Sequence, residues 1–286
     1  MNCDIYASFL RAIGHKVIRT ESAYWFDVYP RTYLAFPYQR PIEPSAAELK
    51  ELFRKAMMLR FAAKSGGVDS YYVACDEKPY SFATLSSKAR NQTRRGLENW
   101  QVEPVDCEWL ANYGAALNAE TLARQGRRDS DFDSNRWRRV CTAAANYPGF
   151  EAWRAQLKDK TGAVALTFLM DDLACILLQR SSYSNLSTYP NNALTFEITR
   201  TLLARPNVRS TFYGLRALAA TNSLDHFKTG MGYREFPMRE SFLAAPFLRP
   251  LVPAVRFAIA RLPVLRSRDS LKKLDAALAY SGGSRH

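Results

Sequence analysis

The chain has 286 residues, 47% of them hydrophobic and 13% aromatic, and a formal net charge of +13. That composition supplies one large domain or two small ones with a sizeable core, and it excludes a disordered or low-complexity chain. The charge points to phosphate-bearing cofactors, nucleic acid or an anionic membrane surface without choosing among them.

Met1 to Leu10 shows no basic stretch ahead of an apolar run, and no window of about 18 uncharged apolar residues occurs anywhere. The expectation is a cytoplasmic protein. Lys16 to Tyr29 is partly aromatic and β-branched and predicts one or two strands, which Pro37, Pro41 and Pro44 interrupt. Ser45 opens a helix. Ser45 and Glu48 have capping-box spacing, and Leu49, Leu52, Phe53, Ala56 and Met57 line one face, with Gly66 and Gly67 as the stop. Ser70 to Cys75 predicts a short strand. Ser86 to Trp100 predicts a strongly basic helix. Asp106 to Gln125 and Asp133 to Tyr147 predict two more, with a charged, mobile loop at Gly126 to Asp131 between them, and Phe150 to Leu157 predicts a short helical piece.

The following run is the most ordered. Ala163 to Met170 and Leu173 to Leu178 are apolar and joined by Asp171 and Asp172, which is hairpin spacing. Asn192 is placed to cap a helix whose Leu194, Ile198 and Leu202 face inward, and Pro206 and Asn207 stop it. Ser210 to Leu215 predicts a strand, Ser223 to Thr229 a short helix closed by Gly230, and Tyr233 to Leu243 a last strand. The order β-β-α-β-α-β predicts an α/β fold, a mixed central sheet with helices on both faces.

Five cysteines (Cys3, Cys75, Cys107, Cys141, Cys175) form no CxxC and no zinc spacing, so neither a disulfide nor a metal is expected.

Three stretches carry a resemblance. Ser86-Ser87-Lys88-Ala89-Arg90-Asn91-Gln92-Thr93-Arg94-Arg95 resembles a Lys-x-Arg-x-x-x-Arg stretch, Pro190-Asn191-Asn192-Ala193-Leu194 marks a helix start after a hairpin, and His226-Phe227-Lys228-Thr229-Gly230-Met231-Gly232-Tyr233 resembles a Phe-Lys-x-x-x-Gly signature before a last strand. Together, in order and spacing, they resemble the GNAT-fold acyltransferases, and within them the Fem-type aminoacyltransferases and the related GNAT-like N-acyltransferases. The match runs from about Tyr71 to Phe242. It implies a GNAT-like acyltransferase core over residues 71–243, a degenerate first half of the fold or an N-terminal addition over 1–70, and a basic C-terminal tail over 244–286. In typical GNAT enzymes a glycine-rich loop follows the central hairpin, and its amides hold the CoA pyrophosphate. Here that place reads Ser181-Ser182-Tyr183-Ser184-Asn185-Leu186-Ser187-Thr188-Tyr189-Pro190, without a glycine. Fem-type enzymes lack the loop and take aminoacyl-tRNA as donor. The co-substrate is therefore an acyl-CoA or an acyl or aminoacyl carrier, with an acceptor that is a small molecule or a cell-envelope precursor.

Acyl transfer to an amine needs a deprotonated amine, donors for the oxyanion and a proton for the leaving group. No Ser-His-Asp or Cys-His order is evident among three histidines, so direct attack is expected. Lys228 is the leading catalytic candidate, to stabilise an oxyanion or hold a phosphate; the alternative is a solvated lysine on a short helix. His226, as a base, and Tyr213, as a proton donor, are the other catalytic candidates, each with packing as its alternative. Lys88, Arg90 and Arg94 are substrate-binding candidates or a solvated basic face; Arg90 and Arg94 are one helical turn apart. Tyr183, Tyr189 and Asn192 complete the substrate-binding set. From Phe247 to His286, eight basic residues (Arg249, Arg256, Arg261, Arg266, Arg268, Lys272, Lys273, Arg285) meet two acidic ones and interleave with apolar side chains. That tail suits either a strap on the domain or a peripheral position on the inner face of an anionic membrane. The competing functional reading is a non-catalytic GNAT-like module that binds nucleic acid or membrane phosphates through its basic helix and tail.

Overall fold

The computed structural model describes residues 2–124, 133–218, 222–261, 275 and 277–280. The chain divides into two compact units: residues 1–13, 73–214 and 223–234 form one, and residues 14–72, 215–222 and 235–286 the other. The loop expected at Gly126 to Asp131 lies outside the described residues, as does most of the tail beyond Arg261.

The first unit opens with α1 (Cys3–Ala12), which buries Tyr6, Phe9 and Leu10. After α3 (Ser87–Asn99) come β6 (Gln101–Val105), α4 (Cys107–Arg124) and α5 (Ser134–Ala145). A meander of β7 (Phe150–Leu157), β8 (Lys160–Met170) and β9 (Leu173–Ser181) follows, then α6 (Pro190–Leu203), β10 (Ser210–Leu215) and α7 (Asn222–Gly230). The hairpin between β8 and β9 turns at Asp171, whose φ is 55°; Asp tolerates that left-handed conformation better than most residues. In this unit β10, β9, β8, β7 and β6 are successive neighbours, antiparallel except for the β9–β10 pair. Gln179 of β9 bonds to Thr195 of α6, while the next side chain, Arg180, bonds to Asn118 of α4. Successive strand side chains point to opposite faces, so α4 and α6 cover opposite faces of β9, as the element order predicts. The α/β class and the β-β-α-β-α-β order after residue 160 both hold.

The second unit carries β1 (Val17–Arg19), β2 (Tyr24–Tyr29), β3 (Thr32–Phe36), α2 (Ala46–Phe53) and β4 (Met58–Ala62). Here β11 (Arg234–Ala244) pairs antiparallel with β4, and β4 runs parallel to β3. β5 (Val68–Cys75) starts in this unit and ends in the other. Trp25, Leu52, Ala56, Leu59, Phe61 and Leu243 pack as its core. Beneath β11, Arg60 forks onto Glu240 at 2.6 and 3.2 Å, and Ser70 donates to the same carboxylate at 2.9 Å. A buried carboxylate held by a bidentate guanidinium and a hydroxyl is satisfied in place rather than available for chemistry.

Two expected helical stretches are strands. The helix that Ser45 opens ends at Phe53, and Met58 to Ala62, expected to continue it, is β4; strand partners on both sides outweigh its weak helical spacing. Phe150 to Leu157 is β7, between β6 and β8. Two strands, β3 and β6, and the helix α1 carry no expectation from the sequence. No helix among the described residues is long and apolar enough to cross a membrane.

Candidate functional site

The parallel ladder between β9 and β10 registers at three positions, the last being Phe212 opposite Cys175. Beyond it β9 continues to Ser181 and β10 to Leu215 without further registered pairs between them. Gly214 adopts a φ of 137°, open to glycine and strained for other residues, and a Cβ placed there would meet nothing within 4 Å. A glycine of this kind inside a strand marks room for something to approach the backbone.

Polar side chains converge where the strands part. The Tyr213 hydroxyl donates to Gln179 Oε1 at 2.6 Å. Gln179 Nε2 in turn donates to Asn191 Oδ1 at 3.2 Å and to Thr195 Oγ1 at 3.0 Å. Asn191 Nδ2 donates to Ser181 Oγ at 2.9 Å, to which Arg124 also donates at 3.3 Å. Over the Tyr213 ring lies Lys228 of α7, its Nζ 5.1 Å from the centroid, although the residue is only 8% exposed. A cation held against a ring face in a desolvated setting gains more than it would at the surface. Tyr213 also meets Tyr233 edge to face at 5.2 Å, and Tyr233 shares a 2.6 Å hydrogen bond with Thr199 of α6. Burial pushes the Tyr213 phenol well above its ordinary value, against smaller opposing effects from Thr195 and the Arg180 charge. The phenol is therefore a hydrogen-bond donor at neutral pH and not a base.

The other expected residues scatter. His226 is exposed. Arg90 spends its guanidinium on the carbonyls of Phe82 and Leu85, at 2.9 and 3.2 Å, closing the turn ahead of α3. Arg94 lies over the Phe82 ring at 5.4 Å and is exposed, as is Lys88. Tyr183 is 67% exposed. Tyr189 occupies the left-handed region (φ 59°) as the N-cap of α6, with Pro190 at the first helical position. Asn192 is thus not the cap: it lies inside the first turn, buried, with Nδ2 3.5 Å from Met231 Sδ. Proline at the first helical position needs no amide donor and presets φ, so it sets the helix start ahead of Asn192.

A separate concavity of about 630 Å³ in the same unit is lined by Asp106, Glu108, Trp109 and Glu151 among others. Three carboxylates disfavour a phosphate-bearing ligand there, and it contains none of the residues expected from the sequence.

No protein-family model and no curated protein matches the chain. Solved structures do. FemX aligns with a TM-score of 0.60 at 11% identity, over 87% of this chain and 92% of its own. L-PGS from Bacillus licheniformis aligns at 0.55 and 10% identity, over 90% of this chain and 92% of its own. The C-terminal DUF2156 domain of an Agrobacterium fabrum protein aligns at 0.54 and 13%, over 83% and 88%.

The fold is GNAT-like. The Fem-type resemblance carried by the three sequence stretches is a resemblance of fold as well. In this GNAT-like frame the stretch after β9 takes a 3-10 turn at Leu186–Thr188 rather than a glycine loop, and Trp100 Nε1 donates to the Thr188 carbonyl at 3.0 Å. Gln179, Ser181, Asn191 and Thr195 carry no expectation as site residues from the sequence. One signal was present: β9 is apolar from Leu173 to Leu178 and then turns polar at Gln179-Arg180-Ser181, with Gln179 and Ser181 two apart on one face.

Proposed function

We propose that this chain is an acyltransferase that passes an acyl or aminoacyl group from an activated carrier to an amine by direct attack. The observation that carries the reading is the buried Lys228 ammonium over Tyr213, whose hydroxyl Gln179 holds at the parting of two parallel strands. In the reaction the amine nitrogen attacks the acyl carbon, a C–N bond forms, and the bond to the carrier's oxygen or sulfur breaks. The proton the amine gives up balances the one the leaving group takes. Lys228 supplies positive charge for the oxyanion or for a carrier phosphate, and Tyr213 supplies the proton donor for the leaving atom.

The donor favoured is an aminoacyl-tRNA or a related aminoacyl carrier over acyl-CoA. The stretch from Ser181 to Pro190 offers no glycine for close backbone approach to a pyrophosphate, and Tyr189 fills the place where α6 begins. The acceptor class is an amine on a small molecule or a cell-envelope precursor, and the compartment is the cytoplasm. Lys88 and Arg94, exposed on α3, are proposed to contact carrier phosphates. Transfer from a pool of radiolabelled aminoacyl-tRNA and from radiolabelled acetyl-CoA, each offered with amine-bearing lipid and peptide acceptors, tests the reading. Label should leave the tRNA pool and Lys228→Ala should abolish its transfer. If acetyl-CoA alone is used, the donor assignment falls. If transfer from either donor persists at the full rate in Lys228→Ala, the site assignment falls.

A further inference from the structure

From Pro246 to Arg261 the second unit carries a 3-10 stretch (Pro246–Leu251) continued by α8 (Val252–Arg261). Phe247 is 58%, Leu251 52% and Phe257 61% exposed. Among the described residues these two phenylalanines are the only exposed ones. Single exposed apolar residues are ordinary, but three large ones within eleven positions are not. The charge around them has one sign. Five arginines and no acidic residue lie between Glu240 and Asp269. Of the three described arginines, Arg249 reaches the Ala244 carbonyl at 3.4 Å, Arg256 pairs with Asp275 at 3.2 Å, and Arg261 covers the Phe257 ring at 4.7 Å. All three remain exposed. Pro246, Pro250 and Pro253 are exposed as well and remove three backbone donors that an interfacial setting would otherwise have to satisfy.

We propose that this segment is a docking face for an anionic phospholipid surface, with Phe247, Leu251 and Phe257 entering the headgroup–acyl boundary and Arg249, Arg256 and Arg261 pairing with lipid phosphates. The interleaving of large apolar side chains with arginines separates this partner from the others. A polynucleotide would use the cations and leave aliphatic Leu251 in water, whereas an apolar protein partner would not call for an acid-free stretch. The proposal stands independently of the acyl-transfer reading, because it concerns a different unit and needs no turnover.

The test is co-sedimentation of the full chain with vesicles of phosphatidylglycerol and phosphatidylcholine in equal parts, beside vesicles of phosphatidylcholine alone. Binding to the anionic vesicles alone is expected. Replacing the three arginines by glutamine should weaken it about a hundredfold, near fivefold for each. The variant Phe247→Ser, Leu251→Ser, Phe257→Ser should weaken it about tenfold or more. Each variant is compared with the parent by thermal melting, and since every changed side chain is exposed the melts should coincide. Equal binding to both vesicle types overturns the proposal. So does retention of anionic binding by the serine variant, or a serine variant that alters self-association in sedimentation velocity while leaving vesicle binding intact. Binding to homopolymeric RNA with no binding to vesicles also overturns it.

Discussion

At the residue scale, the proposed chemistry rests on two side chains with separable tests. Lys228→Ala is expected to lower kcat about a hundredfold or more, the range seen when a preorganised oxyanion donor is removed, and Lys228→Arg to restore part of it. Tyr213→Phe removes the bond to Gln179 and the proton donor together, so kcat should fall while folding stability changes by about 1 kcal/mol. The pH profile is a sharper probe. Burial raises the Tyr213 phenol above 10.0, so its donation is intact below that value and is lost only as pH rises through the higher folded value. A rate loss centred below pH 10.0 that disappears in Tyr213→Phe would contradict the assignment. Lys228 and Tyr213 were legible because each sits at the edge of a strongly patterned element. Gln179 and Asn191 were not, because an uncharged amide near a strand end or helix start looks the same in sequence whether it meets solvent or a network.

At the element scale, the joint between α3 and α6 sets the geometry that presents Asn191 and Thr195. A Cβ on Gly96 would meet the Tyr189 carbonyl oxygen at 2.7 Å and the Ala193 Cβ at 3.2 Å. The first of these is backbone and cannot rotate away. Gly96→Ala is therefore expected to cost about 1–3 kcal/mol despite alanine's better helix propensity, read as a lower midpoint in urea unfolding. A second element, α2, carries an acid-sensitive start. Burial raises the Glu48 pKa, but hydrogen bonds from the Ser22 and Ser45 amides, helped by the Thr20 and Ser22 hydroxyls, outweigh it and hold it at about 2. The carboxylate stabilises the fold above its ordinary value of 4.5, and that contribution is lost as pH falls towards 2. Glu48→Gln should flatten this part of the stability profile, measured by denaturant melts across the acid range. The capping box was legible because both partners are local in sequence. β7 was not: Phe150, Trp153 and Leu157 have helical spacing, and a strand flanked on both sides, burying Ala152, Trp153 and Ala155, lacks the alternation that reveals an edge.

At the scale of the whole molecule, all five cysteines are free and buried. Burial pushes Cys75 and Cys107 up to about 11 and Cys141 to about 12. Thiolate is the reactive form, so the native chain should take up iodoacetamide at neutral pH at least about a hundredfold more slowly than free cysteine. Intact mass should show no adduct until denaturant is added. The run from β8 to β11 was readable because its turns and stops are punctuated by Asp, Pro and Gly. The grouping of residues 1–13 with residues beyond 73 was not, because α1 finds its partners through aromatic packing far along the chain. Tyr6 stacks on Phe168 at 5.1 Å, Phe9 meets Phe150 at 4.3 Å, and Asn2 donates to Asp171 at 3.1 Å. This has a consequence for the order of events on the ribosome. The first helix to emerge has nothing to pack against until the β7–β8 meander has been made, so the first unit cannot close while the nascent chain is short. A chain begun at Val73 would leave Phe150 and Phe168 bare, and should be recovered as aggregate unless a peptide spanning residues 1–13 is supplied in trans.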